Sequence, residues 1–163
     1  MCEIKLRQVT ESDLDRCFEI ERDSYEGDAA ATRNKIYRRI CEYPEGFIVL
    51  ERDGVVVGFI NCGATDRVDL ADEEFKDLVG HDPKGRHIVI FSVVVHRKYQ
   101  GQGLAGKLMV DFISRIRGMH KKSIHLLCRS RLVAFYEKYG FEDIGRSKST
   151  HGGLNWHEMV LHL

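Results

Sequence analysis

The sequence has 163 residues, of which 43% are hydrophobic, and this length and composition suit one domain with a sizeable core. Lys and Arg total 25 and Asp and Glu total 25, so no basic excess favours nucleic acid, and five widely spaced cysteines indicate neither a disulfide framework nor a zinc site. The charged start is unlike a signal peptide and no apolar run nears the roughly 20 residues of a membrane span, so we expect a cytoplasmic protein that binds neither nucleic acid nor membrane.

The N-terminal half of the chain predicts strands and helices that differ in their hydrophobic spacing. In chain order we expect a strand at residues 4–9, a helix with Leu14, Cys17, Phe18 and Ile20 on its apolar side after a cap at Thr10 or Ser12, a loop at residues 23–32, a basic helix at residues 35–41, and a hairpin of residues 46–51 and 55–62. The pair Asp53-Gly54 is typical of the tight turn in such a hairpin. Residues 64–86 predict a surface excursion with one helical turn near Phe75.

Residues 87–116 predict a strand, a glycine-rich turn and a helix. Residues 88–95 are an apolar run rich in β-branched side chains, which is typical of a strand buried on both faces. From Gly103 the apolar positions change to helical spacing. They are Leu104, Leu108, Met109, Phe112 and Ile116.

Beyond this helix we expect a strand at residues 123–128, a helix at residues 132–139 and strands at residues 141–144 and 154–161. A strand that returns through a helix is parallel to the strand before it. The predicted fold class is therefore α/β (α+β), with a mixed, mainly antiparallel sheet, helices on both faces and one parallel strand pair in the centre.

The glycine-rich turn places the start of a helix just beyond the end of the buried strand. Unpaired N–H groups and the positive end of the helix dipole attract anions at such a place. Gly101, Gly103 and Gly106 lack the Cβ atoms that would keep an anion from the backbone, and Lys98 and Lys107 add positive charge. The turn therefore predicts a pyrophosphate site.

Two nucleotide-binding patterns fit these glycines but lack a residue that their chemistry needs. The glycines match G-x-G-x-x-G, yet residues 125–128 hold no carboxylate where that motif places one for a ribose hydroxyl. Gly101, Gly106 and Lys107 match G-x-x-x-x-G-K, yet Leu108 follows where a triphosphatase needs Ser or Thr on Mg²⁺. Neither a dinucleotide nor a nucleoside triphosphate is predicted.

A third pattern, Q/R-x-x-G-x-G/A, is satisfied by Gln100, Gly103 and Ala105. About 30 residues downstream, residues 131–141 read R-L-V-A-F-Y-E-K-Y-G-F and contain F-Y-x-K-x-G-F. With both motifs in this order, the chain resembles the GNAT superfamily of N-acetyltransferases. I-E-R-D-S-Y, V-V-H-R-K-Y and W-H-E-M, which begin at Ile20, Val94 and Trp156, are similar to segments of the arylalkylamine (serotonin-type) members.

The resemblance implies direct transfer of an acetyl group from acetyl-CoA to a primary amine, without a metal. It also implies that the central parallel strands splay and that the pantetheine arm lies in the gap. Tyr136 is implied as the acid that protonates the coenzyme A thiolate. The implied co-substrate residues, in part through their main chain, are Val93, Val94, Val95, Gln100, Gly101, Gln102, Gly103, Leu104, Ala105 and Gly106.

The acceptor that the resemblance implies is a small arylalkylamine, bound by a monomer or homodimer. A protein N-terminus or lysine, a polyamine, and a catalytically silent acyl-CoA-binding regulator are the alternatives. Arg129 and Leu132 stand where many members have Asn and Ala before the tyrosine. One contact to the co-substrate is therefore expected to differ.

The proton acceptor is a further departure from the relatives. Vertebrate arylalkylamine enzymes have H-x-H on strand four, and the corresponding residues here are Val89 and Phe91, which accept no proton. His87 lies two residues before Val89 and should share its strand face, so we predict it as the base. Glu21, Glu26 and a bound water are the alternatives.

Overall fold

The structure is a computed structural model that describes residues 3–25 and 29–163. Its centre is a seven-stranded sheet in the order β1-β2-β3-β4-β5-β7-β6, in which only β4 and β5 are parallel neighbours. The strands are β1 (Ile4–Gln8), β2 (Phe47–Arg52), β3 (Val55–Thr65), β4 (His87–Val95), β5 (Ser123–Cys128), β6 (Glu142–Arg146) and β7 (His157–His162). The predicted fold class is confirmed.

Helices cover both faces of this sheet. They are α1 (Leu14–Ser24), α2 (Arg33–Glu42), α3 (Leu104–Gly118) and α4 (Val133–Glu137). The first two pack on one face, where Ile20 and Ile36 are fully buried with Phe47 and Phe59, and α3 packs on the other face with Phe112 at its centre. No helix among the described residues is long and apolar enough to cross a membrane.

A capped turn sets the start of α1. The Thr10 N–H donates to Asp13 Oδ2 at 2.8 Å, and the Arg7 guanidinium donates to both carboxylate oxygens of Asp13 at 2.8 and 2.9 Å. Arg7 also pairs with Glu51 on β2. Because Arg7 lies on β1, this group of charges joins the first helix to the edge of the sheet.

The C-terminal strand starts later than predicted. It begins at His157 rather than near residue 154, because a 3₁₀ turn at His151–Gly153 precedes it. Gly152 has φ +63°, a left-handed conformation that glycine adopts readily, and the Trp156 indole N–H donates to the His151 carbonyl oxygen at 2.9 Å. These contacts turn residues 154–156 away from a strand path.

The parallel pair of β4 and β5 is hydrogen-bonded only at its start. Residues 87–89 pair with residues 123–125, and the ladder then ends. β5 stays paired with β7 as far as Cys128, and β4 stays paired with β3 as far as Val95. The two strands therefore diverge toward their carboxyl ends, and the splayed pair implied by the resemblance is confirmed.

A bulge lies in the diverging part of β4. Ile90 pairs with Cys62 and Ser92 pairs with Asn61, so that Phe91 is an extra residue without a partner on β3. Such a bulge bends a strand and redirects its side chains. It lies at one of the two positions that the resemblance aligns with a histidine pair.

The buried carboxylate of Asp13 gives a prediction about stability. We expect Asp13→Ala to lower the free energy of unfolding by about 1–3 kcal/mol, because Arg7 and the Thr10 N–H lose their acceptor. Asp15→Ala is the matched control, since the Asp15 side chain is 84% exposed and its pairing with Arg33 contributes about 0–1 kcal/mol. Urea denaturation at pH 7 measures both, and equal losses in the two variants would contradict the assignment.

The Asp13 carboxylate also makes the difference in unfolding free energy between wild type and Asp13→Ala depend on pH. Burial alone would raise the pKa of Asp13, but hydrogen bonds from Arg7 and Thr10 lower it below the ordinary value of 3.8. The ionised form is therefore held more strongly in the folded state, and its contribution is full above that value and lost as the pH falls through the folded-state pKa. Below about pH 4 the gap between wild type and Asp13→Ala should shrink.

Candidate active site

Three cavities follow the splayed side of β4 and join end to end. The Glu21 cavity, about 60 Å³, lies over residues 89–92; the Tyr136 cavity, about 320 Å³, lies between the diverging ends of β4 and β5. The glycine cavity, about 300 Å³, lies above the turn between β4 and α3. Tyr25, Ala29, Leu127 and Trp156 line both of the first two cavities, and Val95, Gln100 and Ala105 line both of the last two.

The glycine cavity is built by the turn that begins α3. Gly103 caps the helix with φ +77°, and Gly101 has the same φ. A Cβ atom on either glycine would meet no protein atom within 4 Å, so it would project into open space. The Gln100 side-chain amide donates to the Val95 carbonyl oxygen at 2.9 Å and ties the turn to the strand end. The first-turn N–H groups of α3 thus face a space that suits a pyrophosphate.

Most of the predicted co-substrate residues lie at these cavities. Gly106 is among them, but its Cβ would also come within 2.4 Å of the Tyr139 hydroxyl, so this glycine is needed for packing as well. The side chain of Gln102 is hydrogen-bonded by Arg52, and Gln102 is absent from the linings of the three cavities. The others are Val93 and Val94 in the Tyr136 cavity, Gly101, Gly103, Leu104 and Gly106 in the glycine cavity, and Val95, Gln100 and Ala105 in both.

Tyr136 forms part of the wall between β4 and β5. Its side chain is buried, and its ring lies edge-on to Phe135 and Phe141, with centroids 5.1 and 5.7 Å apart. Burial raises the pKa of Tyr136 well above its ordinary value, so the phenol keeps its proton at neutral pH. A protonated hydroxyl at this gap has the chemistry that a thiolate leaving group requires.

Cys128 lines the same cavity from the end of β5. Its Sγ lies 3.4 Å from Met159 Sδ in the core, and burial raises the pKa of the thiol to about 12. A thiol of this kind is protonated at neutral pH and is a weak nucleophile. The structure therefore gives no support to an acyl-enzyme on Cys128.

Glu21 is a buried carboxylate at the first cavity, with 1% of its surface exposed. Its Oε2 accepts the Ala31 N–H at 2.9 Å, while Oε1 has no hydrogen-bond partner within residues 3–25 and 29–163. Burial raises the pKa of Glu21 above its ordinary value, against the opposing effects of the Ala31 N–H and Arg39. An acceptor oxygen left open in this way suits a ligand ammonium or a transferable proton.

The rest of the Glu21 cavity is largely apolar and aromatic. β4 contributes Val89 and Phe91, and the excursion before β4 contributes Phe75, whose ring lies edge-on to Phe91 with the centroids 5.6 Å apart. The Arg39 guanidinium lies 4.5 Å from the Phe91 ring centroid and donates to the Lys76 carbonyl oxygen at 3.1 Å. A cation held by aromatic and main-chain groups therefore shares the cavity with Glu21.

His151 connects three segments around this cavity. Its Nδ1 lies 2.8 and 2.9 Å from the carboxylate oxygens of Glu73, and its Nε2 lies 2.9 Å from the Ala29 carbonyl oxygen. The ring therefore bridges the Glu73 side chain and the main chain of Ala29. Tyr25 and Trp156 belong to the segments I-E-R-D-S-Y and W-H-E-M, which indicate no role for either, and no sequence motif points to His151 or Arg39.

His87 is absent from the linings of these three cavities. It lies on the same strand face as Val89, as predicted, but at the paired start of β4, where its Nδ1 is 2.6 Å from Ser123 Oγ. Ser123 Oγ is in turn 2.8 Å from His125 Nε2. Of the other candidate bases, Glu21 lies at the cavity and Glu26 lies outside the described residues.

Comparison with known proteins agrees with this geometry. The model of the Acetyltransferase (GNAT) family matches residues 12–141, so the chain belongs to the acetyltransferase (GNAT) family. It is an acyltransferase that uses acetyl-CoA as the donor.

Individual proteins are similar to this chain in sequence or in fold. Serotonin N-acetyltransferase of Mesocricetus auratus is 28% identical over 159 residues, which cover 95% of this chain and 75% of the relative. The loading GNATL domain of CurA from Lyngbya majuscula superposes with a TM-score of 0.87 at 18% identity, over 98% of both chains. The yncA protein of Salmonella typhimurium, solved with its cofactor acetyl-CoA, superposes with a TM-score of 0.71 at 21% identity, over 99% of this chain and 94% of that chain.

The glycine turn gives a prediction about the co-substrate. Gly103→Val should abolish measurable acetyl-CoA binding, because its side chain would occupy the open space above the first turn of α3. Gly80→Val is the matched control: Gly80 has φ +88° and open space around its Cβ, so it carries similar backbone strain away from the turn. Isothermal titration calorimetry measures both, and retained binding in a folded Gly103→Val would place the phosphates elsewhere.

Proposed function

We propose that the protein acetylates the primary amine of a small arylalkylamine. The observation that carries this proposal is the Glu21 cavity, where a buried carboxylate with an open oxygen lies beside an aromatic wall. This cavity joins the Tyr136 cavity, where the thioester would lie. The similarity to serotonin N-acetyltransferase supports the same class of acceptor.

The acceptor is expected to bind with its ring and its amine in different parts of the cavity. Phe75 and Phe91 offer the edge-to-face arrangement that a third aromatic ring can extend. The amine then points toward Glu21 and the junction of the two cavities, which Tyr25 and Trp156 line. This orientation brings the nitrogen to the diverging end of β4.

Proton movements in the proposed reaction use two buried groups. The neutral amine nitrogen attacks the thioester carbonyl carbon, and the N–H proton that must leave passes to Glu21, directly or through a water. When the carbon–sulfur bond breaks, the thiolate takes a proton from Tyr136. Glu21 and Tyr136 line adjoining cavities, so one proton enters the protein on the acceptor side and one leaves it on the donor side.

Charge around the Glu21 cavity supports an amine with one positive charge over a polyamine. The Arg39 guanidinium lies inside the cavity, and Lys35 and Lys76 line it together with Asp69 and Asp72. The acidic and basic groups are therefore balanced, and Arg39 would repel a second ammonium group.

A panel of amines tests the proposed acceptor. We expect kcat/KM for tryptamine and phenethylamine to exceed that for spermidine and for a lysine-bearing peptide by at least about tenfold. The reason is that burial of the substrate ring against the aromatic wall is favourable. Release of free coenzyme A at fixed acetyl-CoA measures each rate. A preference for spermidine or the peptide would overturn the acceptor class, and release with none of the amines would favour the acyl-CoA-binding regulator.

The proposed base is tested by replacing Glu21. Glu21→Gln keeps an oxygen for the Ala31 N–H but accepts no proton, so we expect kcat to fall by about 10²–10⁴-fold. His87→Ala is the comparison variant and should change kcat by less than about threefold, because His87 lies at the paired start of β4. A large loss in His87→Ala with none in Glu21→Gln would identify the histidine as the base.

The pH profile tests the same assignment in the wild type. Glu21 must be ionised to accept a proton, and burial raises the pKa of this group above its ordinary value of 4.5. The acidic limb of kcat at saturating amine should therefore lie above the range of exposed glutamates and vanish in Glu21→Gln. A limb unchanged in that variant would mean that another group titrates.

A further inference from the structure

We propose that the Tyr25 hydroxyl is a catalytic donor to the acetyl carbonyl oxygen, acting beside the Val93 N–H. The inference concerns the acyl-donor side of the reaction. It therefore holds for whichever amine is the acceptor and does not depend on the arylalkylamine assignment.

The position of Tyr25 carries the inference. Tyr25 follows the last residue of α1 and has an extended backbone, φ −104° and ψ 148°, so its side chain leaves the helix and reaches across to β4. The Val93 N–H donates to the Tyr25 hydroxyl oxygen at 3.4 Å, and Tyr25 lines both the Glu21 cavity and the Tyr136 cavity. The hydroxyl thus lies where the acceptor amine and the thioester must meet.

The state of this phenol suits a donor. Burial raises the pKa of Tyr25 above its ordinary value, with the Glu21 carboxylate acting in the same direction, so the hydroxyl keeps its proton. The contact from Val93 uses a lone pair of the hydroxyl oxygen, which leaves the O–H bond as a donor.

Binding of the acetyl group requires only a small change in the contact between Val93 and Tyr25. The resemblance implies that the main chain of Val93 contacts the acetyl group, and this N–H lies on the side of β4 that has lost its strand partner. The Tyr25 hydroxyl lies 3.4 Å from the Val93 nitrogen. An acetyl carbonyl oxygen that accepts the Val93 N–H would therefore also be within hydrogen-bond reach of that hydroxyl. The carbonyl oxygen then has two donors, one from the main chain and one from Tyr25.

Each bond change in the step can be followed. The amine nitrogen forms a bond to the carbonyl carbon, and the carbonyl π pair moves onto the oxygen, whose charge the Val93 N–H and the Tyr25 O–H stabilise. The nitrogen gives its extra proton to the base, the pair returns to re-form the carbonyl, the carbon–sulfur bond breaks, and Tyr136 protonates the thiolate. Tyr25 keeps its proton throughout, which distinguishes its role from that of Tyr136.

A different role for Tyr25 predicts effects of the opposite sign. The Tyr25 hydroxyl could instead serve only as an acceptor for the Val93 N–H until acetyl-CoA displaces the hydroxyl. Removing the hydroxyl would then leave the Val93 N–H free to bind acetyl-CoA. Acetyl-CoA would then bind more tightly and turnover would be unchanged or faster. A catalytic donor instead predicts slower chemistry with little change in binding, because the contact strengthens as charge develops on the oxygen.

Tyr25→Phe separates these outcomes. We expect the single-turnover rate constant with the best amine to fall by about 10²–10³-fold, the loss typical of one oxyanion donor, while acetyl-CoA affinity changes by less than about threefold. Tyr43→Phe is the control, since it also removes a tyrosine hydroxyl from the protein interior, but one that faces Met119 Sδ at 3.9 Å. An unchanged or faster rate, or tighter acetyl-CoA binding, in Tyr25→Phe overturns the proposal.

The carbonyl group itself gives a second measurement. The probe is the ketone analogue of acetyl-CoA in which a methylene replaces the thioester sulfur. Its infrared carbonyl stretch should move to higher frequency in Tyr25→Phe and stay unchanged in Tyr136→Phe. Tyr25→3-fluorotyrosine keeps the shape and strengthens the donor, so the stretch should move to lower frequency even if the phenylalanine variant misfolds. A carbonyl stretching frequency that is the same in the wild type and in both Tyr25 variants overturns the proposal.

Discussion

The early end of the β4–β5 ladder is the feature on which the rest of the site depends. A buried main-chain N–H or carbonyl without a partner costs about 1–3 kcal/mol, so the open edge of β4 requires other partners. The structure supplies two of them from side chains: Tyr25 accepts the Val93 N–H, and Gln100 donates to the Val95 carbonyl oxygen. The gap is thus a row of polar groups that a ligand can take over, and not only an empty space.

The same gap explains why buried polar residues collect near it. Glu21, Arg39, Asn61 and Ser92 are all buried, and Glu21 Oε1 and Asn61 Nδ2 have no hydrogen-bond partner in the part of the chain that the structure describes. Such groups lower stability unless a ligand or a water satisfies them. Their presence under an apolar wall indicates that this region is shaped for binding, because a core of that volume filled with hydrocarbon would be more stable.

How far the sequence could predict the protein follows from the range of the interactions involved. The β4–turn–α3 unit was predictable because its signals are local: a β-branched run, glycines at fixed spacing, and helical periodicity. The late start of β7 was not, because His151 in the turn before it is held by Glu73 and the Ala29 carbonyl oxygen, which are 78 and 122 residues away along the chain. Glu21 was one of several candidate bases in the sequence, since its burial depends on Ala31, Arg39 and β4, which are distant along the chain or on other elements.

The proposed base differs in its location and in its chemistry from the strand-four histidine pair that the resemblance led us to look for. Imidazole titrates near neutrality without help, at about 6.5, whereas a carboxylate needs its pKa raised before it is a comparably strong base. At this site burial raises the pKa of Glu21, and the Ala31 N–H and Arg39 limit that rise. Burial favours the protonated form of Glu21 and so strengthens it as a base, whereas the Ala31 N–H and Arg39 favour the ionised form that can accept a proton. With Val89 and Phe91 on β4, the aromatic wall and the proton acceptor lie on different elements, so the strand is free to shape the acceptor cavity while α1 supplies the base.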